Sequence, residues 1–496
     1  FDLTNMQVSW YYAVGASPAD ANRALGGHQP EVSLPTDFWF RTRHAGKWGW
    51  ATVGLLRCFW GFEERLGTAI EEILDRNLVA REQDDFRDST KAELAQRLAD
   101  NIALYADFTP MFGLSAPHCG FWSVMLEKQL EGASPQPQSL SAKLLAGTDL
   151  VTSAEQGYRV YEMAEIARTD QAARVWLTDP SRDPHGWKQL PKDSPFRQET
   201  QRFLDDFGHR GVYELEMANP RWHEDPSYVF DQVLAVLESN ATGDPRDRAR
   251  KVQAEANAEL QRVPWWKRRL VRWLVKKARA GMGLREAAKS ALVAYMETPR
   301  RIHLETARRI VAEGKLDSVE DVFYLTVPDI EAYLLEEWDG SGAREMADER
   351  RRQREAWLKE TPPDVITLDG GGKRLETSSR PVASSRGSTD EWTGIGAAAG
   401  IATGTVRVLR HPSDGNRLLP GDVLAAPSTD PGWTPLFLRA SAVVVETGGY
   451  LSHGAVVARE YGLPAVVNLP GLLDRIQDGD RLEVNGDRGT VRRLKD

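Results

Sequence analysis

His453 stands in Glu446-Thr-Gly-Gly-Tyr-Leu-Ser-His-Gly-Ala-Val-Val-Ala-Arg-Glu-Tyr-Gly462, where an apolar run gives way to glycines and then to a helical pattern. Gly448 and Gly449 permit a tight turn, Ser452 is a good N-cap and Gly462 a good stop, so the spacing predicts His453 in the first turn of a helix. Free backbone N–H groups and the positive end of the helix dipole favour an anion carried on the ring. A histidine so placed suits accepting a phosphoryl group and giving it up again. Thr447, Gly448, Gly449 and Ser452 are the candidates for binding phosphoryl oxygens, although capping alone accounts for Ser452. Arg459 falls about 240° around the helix from His453 and reads as a structural or surface residue.

Arg285 and Lys289 are four residues apart, hence on one helix face, with Glu286 three before Lys289. Two cations on one face can neutralise a phosphoryl group in flight, and the carboxylate could take a hydroxyl proton. The plainer reading is a solvated helix with one ion pair. His209 and Arg210 lie between glycines in Phe207-Gly-His-Arg-Gly211, which allows close approach of a ligand or of another backbone. They are candidate acceptor contacts, with a packed structural role as the alternative. Twelve aromatics fall within residues 1–62, Trp10 and Trp39 among them, and form either a core or a wall for an apolar acceptor.

The elements that must position these groups are legible in the periodicity. Apolar residues recur at three and four, as in Leu94, Leu98, Ile102 and Tyr105, which predicts a mostly helical region, 1–361. Residues 362–392 are rich in Gly, Ser and Pro and read as a flexible linker that, extended, would reach at most about 100 Å. From 393 to 496 short apolar runs of about five residues alternate with Gly-Asp and Pro signals. Strands are predicted at 404–409, 422–426, 442–446, 464–467, 481–484 and 489–493, with helices near 432–439 and 454–461. The fold class expected is a mostly α-helical acceptor-binding domain followed by a small α/β domain.

The pattern around His453, preceded by Pro427-Ser-Thr-Asp-Pro-Gly-Trp-Thr-Pro435, resembles the phosphohistidine swivelling domain of phosphoenolpyruvate synthase, pyruvate phosphate dikinase and their relatives. The resemblance implies that His453 carries the phosphoryl group between an ATP-binding domain and a second site of delivery. Phosphoenolpyruvate-forming members deliver to a barrel with an essential cysteine in a Gly-rich motif; neither Cys58 nor Cys119 has that context, and the strand-helix alternation of a barrel is missing. Instead Phe203–Gly211 with Asn219–Trp222, Gly283–Lys289 and Leu316–Thr326 resemble the helical domain of rifampin phosphotransferases. By that resemblance Arg285, Glu286 and Lys289 match the catalytic helix that faces the phosphohistidine.

No segment here resembles the family's ATP-grasp domain, so ATP and Mg²⁺ are expected at an ATP-grasp partner, either a separate chain or residues upstream of Phe1. The expected enzyme is a dikinase-type phosphotransferase subunit, with a small-molecule acceptor that is phosphorylated or activated for ligation or dehydration. The alternatives are a phosphocarrier that binds a protein, and transfer linked to phosphoenolpyruvate. The 496 residues carry 63 basic and 72 acidic side chains, a net charge of −9 that argues against nucleic acid as a partner. Ten cations and three tryptophans between 262 and 289 admit a membrane surface, but a wall that receives the swivelling domain explains the same charge, and no membrane partner is expected. Two cysteines and no signal-like start suggest a cytoplasmic protein. No metal-binding set is apparent in the sequence.

Overall fold

The computed structural model describes Gly54 and residues 57–83, 86–148, 150–239, 244–360 and 390–494. Trp10, Trp39 and most of the expected linker lie outside these residues. Of the linker's expected span only 390–392 is described, and Glu391 and Trp392 already belong to a strand.

Among the described residues twelve helices occupy the first part: α1 Phe62–Gln83, α2 Lys91–Leu130, α3 Pro137–Leu144, α4 Thr152–Thr169, α5 Gln171–Thr178, α6 Pro195–Phe207, α7 Ser227–Glu238, α8 Arg246–Leu260, α9 Trp265–Tyr295, α10 Glu297–Ala312, α11 Val327–Leu334 and α12 Ala343–Trp357. Helix α2 starts at a capping box in which Thr90 Oγ1 accepts from the Glu93 N–H and the Glu93 carboxylate accepts from the Thr90 N–H. Its apolar stripe does not run as far as the sequence suggests. Leu94 and Leu98 are buried, but Ile102 and Tyr105 are exposed, and Tyr105 packs its ring against Tyr295 of α9.

Helix α9, 31 residues and so about 45 Å long, lies along α2. Leu274, Ala278 and Met282 of α9 share a core with Cys119, Leu126 and Leu130 of α2. The helices approach tightly at Gly281, where a Cβ would sit 3.1 Å from the Cys119 Cα. One turn beyond that crossing α9 presents Arg285, Glu286 and Lys289.

The second part is one eight-stranded sheet: β1 Glu391–Thr393, β2 Ile395–Ala398, β3 Ile401–Val408, β4 Val423–Ala426, β5 Ala442–Val445, β6 Ala465–Val467, β7 Arg481–Asn485 and β8 Thr490–Arg493. Their order is β1-β8-β7-β3-β4-β5-β6-β2, parallel from β3 through β6 and antiparallel at the flanks. The six predicted strands are present. The pairs β1 and β2, whose Trp-Thr-Gly-Ile and Ala-rich runs carry little alternation, emerge only through pairing with β8 and β6. Two helices, α13 Thr434–Phe437 and α14 His453–Glu460, cover the sheet. The protein is thus mostly helical with a small α/β domain, as its sequence predicts.

The α/β domain is docked on the helical one. Val151, Ala154 and Tyr158 of the helical part pack in one core with Trp433, Leu436, Val457 and Tyr461. Tyr461 donates its hydroxyl to the Ala154 carbonyl at 2.9 Å and meets Tyr158 edge-on. Among the described residues no helix is long and apolar enough to cross a membrane.

Candidate active site

Strand β5 ends in the turn containing Gly448, at φ 151°, and the chain then enters α14 with Ser452 at the N-cap and His453 as the first helical residue. The Ser452 side chain makes no capping hydrogen bond; its backbone N–H donates to the Gly449 carbonyl at 2.9 Å. The Thr447 N–H is bound to the Pro427 carbonyl at 3.0 Å. The four expected phosphoryl-binding residues therefore form the turn that leads into His453, and α14 ends, as expected, at a left-handed Gly462.

His453 is 7% exposed and lies between the two domains. Its Nδ1 is 3.3 Å from Glu286 Oε2 of α9, and its Nε2 is 3.3 Å from Thr434 Oγ1 of α13. Glu286, 1% exposed, also accepts from Ser153 Oγ at 3.2 Å and from Arg285 Nη1 at 2.7 Å. Burial pushes its carboxyl pKa up, but the hydrogen bond to His453 and the charges of Arg285, His453 and Lys289 overcome this and hold it well below the usual carboxylate range. An ionised carboxylate here accepts a hydrogen bond from Nδ1–H, which leaves the Nε2 lone pair free to act as a nucleophile. A carboxylate held so low is also a weak base. In the docked arrangement it orients the imidazole.

The ion pair suggested by spacing, Glu286 with Lys289, gives way to two others. Arg285 takes Glu286, and Lys289 Nζ lies 3.3 Å from Glu214 Oε1. Glu214 is a residue that sequence reasoning missed: Arg210, four residues before it, pairs with it outside any helix, and Lys289 meets it only through the fold. It is 1% exposed and receives Arg210 Nε at 2.9 Å and Nη2 at 3.1 Å. Burial would raise its pKa, yet Arg210 and Lys289 bring it down to about 2.

His209 and Arg210, expected as candidate acceptor contacts, are both buried under α9. His209 Nε2 bonds Ser290 Oγ at 2.8 Å, and Arg210 Nη1 donates to Ser153 Oγ at 3.3 Å. Burial and the neighbouring Arg210 charge lower the His209 pKa to about 3, so its ring is neutral. They face protein groups, because the flanking glycines admit backbone: a Cβ at Gly211 would lie 2.7 Å from the Pro220 carbonyl oxygen. Arg459 is structural and buried, donating to the Ala455 carbonyl at 3.2 Å and covering the Tyr450 ring. Thr434 and Asp430, also missed as individuals, both lie in the Pro427–Pro435 motif. Asp430 accepts from the Tyr213 N–H of the helical domain at 2.7 Å. Among the described residues no group of three His, Cys, Asp or Glu gathers to hold a metal ion.

The arrangement sets a nucleophilic ring nitrogen, two cations and an orienting carboxylate at one interdomain seam. Residues 113–286 match the rifampicin phosphotransferase fourth domain, and residues 418–489 match the mobile domain of PEP-utilising enzymes. His453 falls in the second match, Arg285 and Glu286 in the first. A rifampicin phosphotransferase from a Streptomyces species is 31% identical over 391 residues, 74% of this chain and 43% of that protein. The rifampicin phosphotransferase of Streptomyces sviceus is 29% identical over 381 residues, 74% of this chain and 42% of that one. The prodigiosin synthesizing transferase PigC of Serratia marcescens is 31% identical over 294 residues, 58% of this chain and 32% of PigC. The chain spans less than half the length of these relatives.

Proposed function

Because its segments match the rifampicin phosphotransferase fourth domain and the mobile domain of PEP-utilising enzymes, and it is similar to rifampicin phosphotransferases, we propose that the chain carries a phosphoryl group on His453 and delivers it to a small-molecule acceptor bound in the helical domain. The observation that carries this reading is the contact of His453 with Glu286, beside Arg285 and Lys289. Glu286 holds the Nδ1 proton, Nε2 bears the phosphoryl group, and Arg285 and Lys289 neutralise it as it leaves for the acceptor oxygen. ATP and Mg²⁺ act at an ATP-grasp component, on a separate chain or elsewhere in a longer one.

The named relatives favour two fates for the acceptor. Similarity to phosphotransferases favours a product that keeps phosphate, and similarity to PigC, a synthesizing transferase, favours activation for ligation with phosphate released. The test is acid-labile, base-stable labelling of the purified chain by ATP labelled at the β-phosphate, with and without lysate from its source. Label should require His453 and vanish in His453→Ala. Lys289→Ala should still take label but form no product. Label from phosphoenolpyruvate alone would replace the donor, and a function left largely intact in Lys289→Ala, with His453 still labelled, would replace the enzyme by a phosphocarrier that binds a protein.

A further inference from the structure

The Glu214 carboxylate is bonded to Arg210 and Lys289 and not to His453, yet it is built into the site's charge balance. It is shared by these two cations, so the trio keeps one net positive charge. Arg221 donates to the Glu214 carbonyl at 2.7 Å, and Arg210 continues through Ser153 to Glu286. A single chain of polar contacts thus runs from His453 through Glu286, Ser153, Arg210 and Glu214 to Lys289. We infer that Glu214 is a positioning residue for Lys289, holding its ammonium beside the seam while Arg210 and Arg221 hold the Glu214 segment.

A lysine has four rotatable side-chain bonds and loses rotamer freedom when fixed. Lys289 is partly exposed, with 22% of its side chain open to solvent. Without an anchor its ammonium would be drawn into water, and the cation needed as the phosphoryl group leaves would be present only part of the time. Glu286 is engaged by Arg285, Ser153 and His453, and the carboxylate that Lys289 reaches is that of Glu214, at 3.3 Å. Arg210 fixes the carboxylate through two nitrogens, a geometry that a single ammonium does not impose.

The purpose of this arrangement rests on the phosphoryl-transfer reading, but the positioning can be read without a donor. The full chain, its lysines dimethylated with ¹³C-formaldehyde, keeps a charged ammonium with one N–H at Lys289, and its resonance is assigned with Lys289→Arg. It should stand apart from the envelope of exposed lysines and fall into that envelope in Glu214→Gln. Glutamine leaves Arg210 buried without its counter-charge, so Glu214→Asp is the second variant. It keeps the charge beside Arg210 but withdraws it by one methylene, and should move the resonance the same way with the melting temperature nearly unchanged. Phosphorylation of His453 by phosphoramidate should shift the Lys289 resonance in the unsubstituted protein and fail to do so in Glu214→Gln. A resonance unmoved by both substitutions overturns the positioning role. A His453 that accepts phosphate from no donor would sink the transfer reading and leave the result for Lys289 standing.

Discussion

At Glu286 three different polar groups converge on one buried carboxylate: the His453 ring from the α/β domain, the Ser153 hydroxyl from α4, and Arg285 from its own helix. Coulomb attraction and hydrogen bonds outweigh a large desolvation cost there, so the side chain stays charged and keeps His453 in one tautomer. Glu286→Gln removes that charge while keeping the shape. The expected outcome is His453 labelling that persists and product formation slowed by about 10²-fold, the order for losing one preorganised electrostatic contact; unchanged turnover would show that the imidazole is oriented by something else.

At the scale of elements the seam depends on how closely α4 lets the α/β domain approach. Gly157 sits on α4 where a Cβ would overlap the Tyr461 hydroxyl and press on Thr434 Cγ2 at 3.1 Å. Thr434 is the residue that faces His453 Nε2. In an exposed helix, alanine for glycine would stabilise by up to about 1 kcal/mol. Here the overlap should cost about 1–3 kcal/mol and reverse the sign. Gly157→Ala is therefore expected to lower stability in urea unfolding, and to impair product formation more than His453 labelling. A variant more stable than the parent would show that the domains are not held at this spacing.

For the whole molecule, docking places Glu460 in the seam, accepting from the Thr148 N–H at 2.6 Å and the Thr148 hydroxyl at 2.5 Å. Burial dominates over these hydrogen bonds and over the charges of Arg279 and Arg459, and its pKa rises to about 7. The folded, docked state then binds a proton that the unfolded chain releases near pH 4.5. Stability from this group is complete below that pH and is lost as pH rises through about 7, by on the order of 3 kcal/mol. Unfolding free energies at pH 5 and pH 8 should differ less in Glu460→Gln than in the parent protein, and equal slopes would remove Glu460 from the pH response. Weaker docking above pH 7 would also ease the movement of His453 away from α9 that a carrier requires.

His453 was legible because everything that places it is local: a strand end, two glycines, a cap and a stop within seventeen residues. The helix face of Arg285, Glu286 and Lys289 was legible for the same reason, since a 3.6-residue period fixes which side chains share a side. Short-range spacing also identified six strands, but β1 and β2 have no pattern strong enough to declare themselves and form only where partners wait for them. What only the tertiary structure decided is which charges meet. Lys289 pairs with Glu214 instead of Glu286, and His209 and Arg210 pack beneath α9, the structural alternative that their flanking glycines left open. Burial and the meeting of segments far apart in sequence set these contacts, and neither quantity is encoded in the spacing of neighbouring residues.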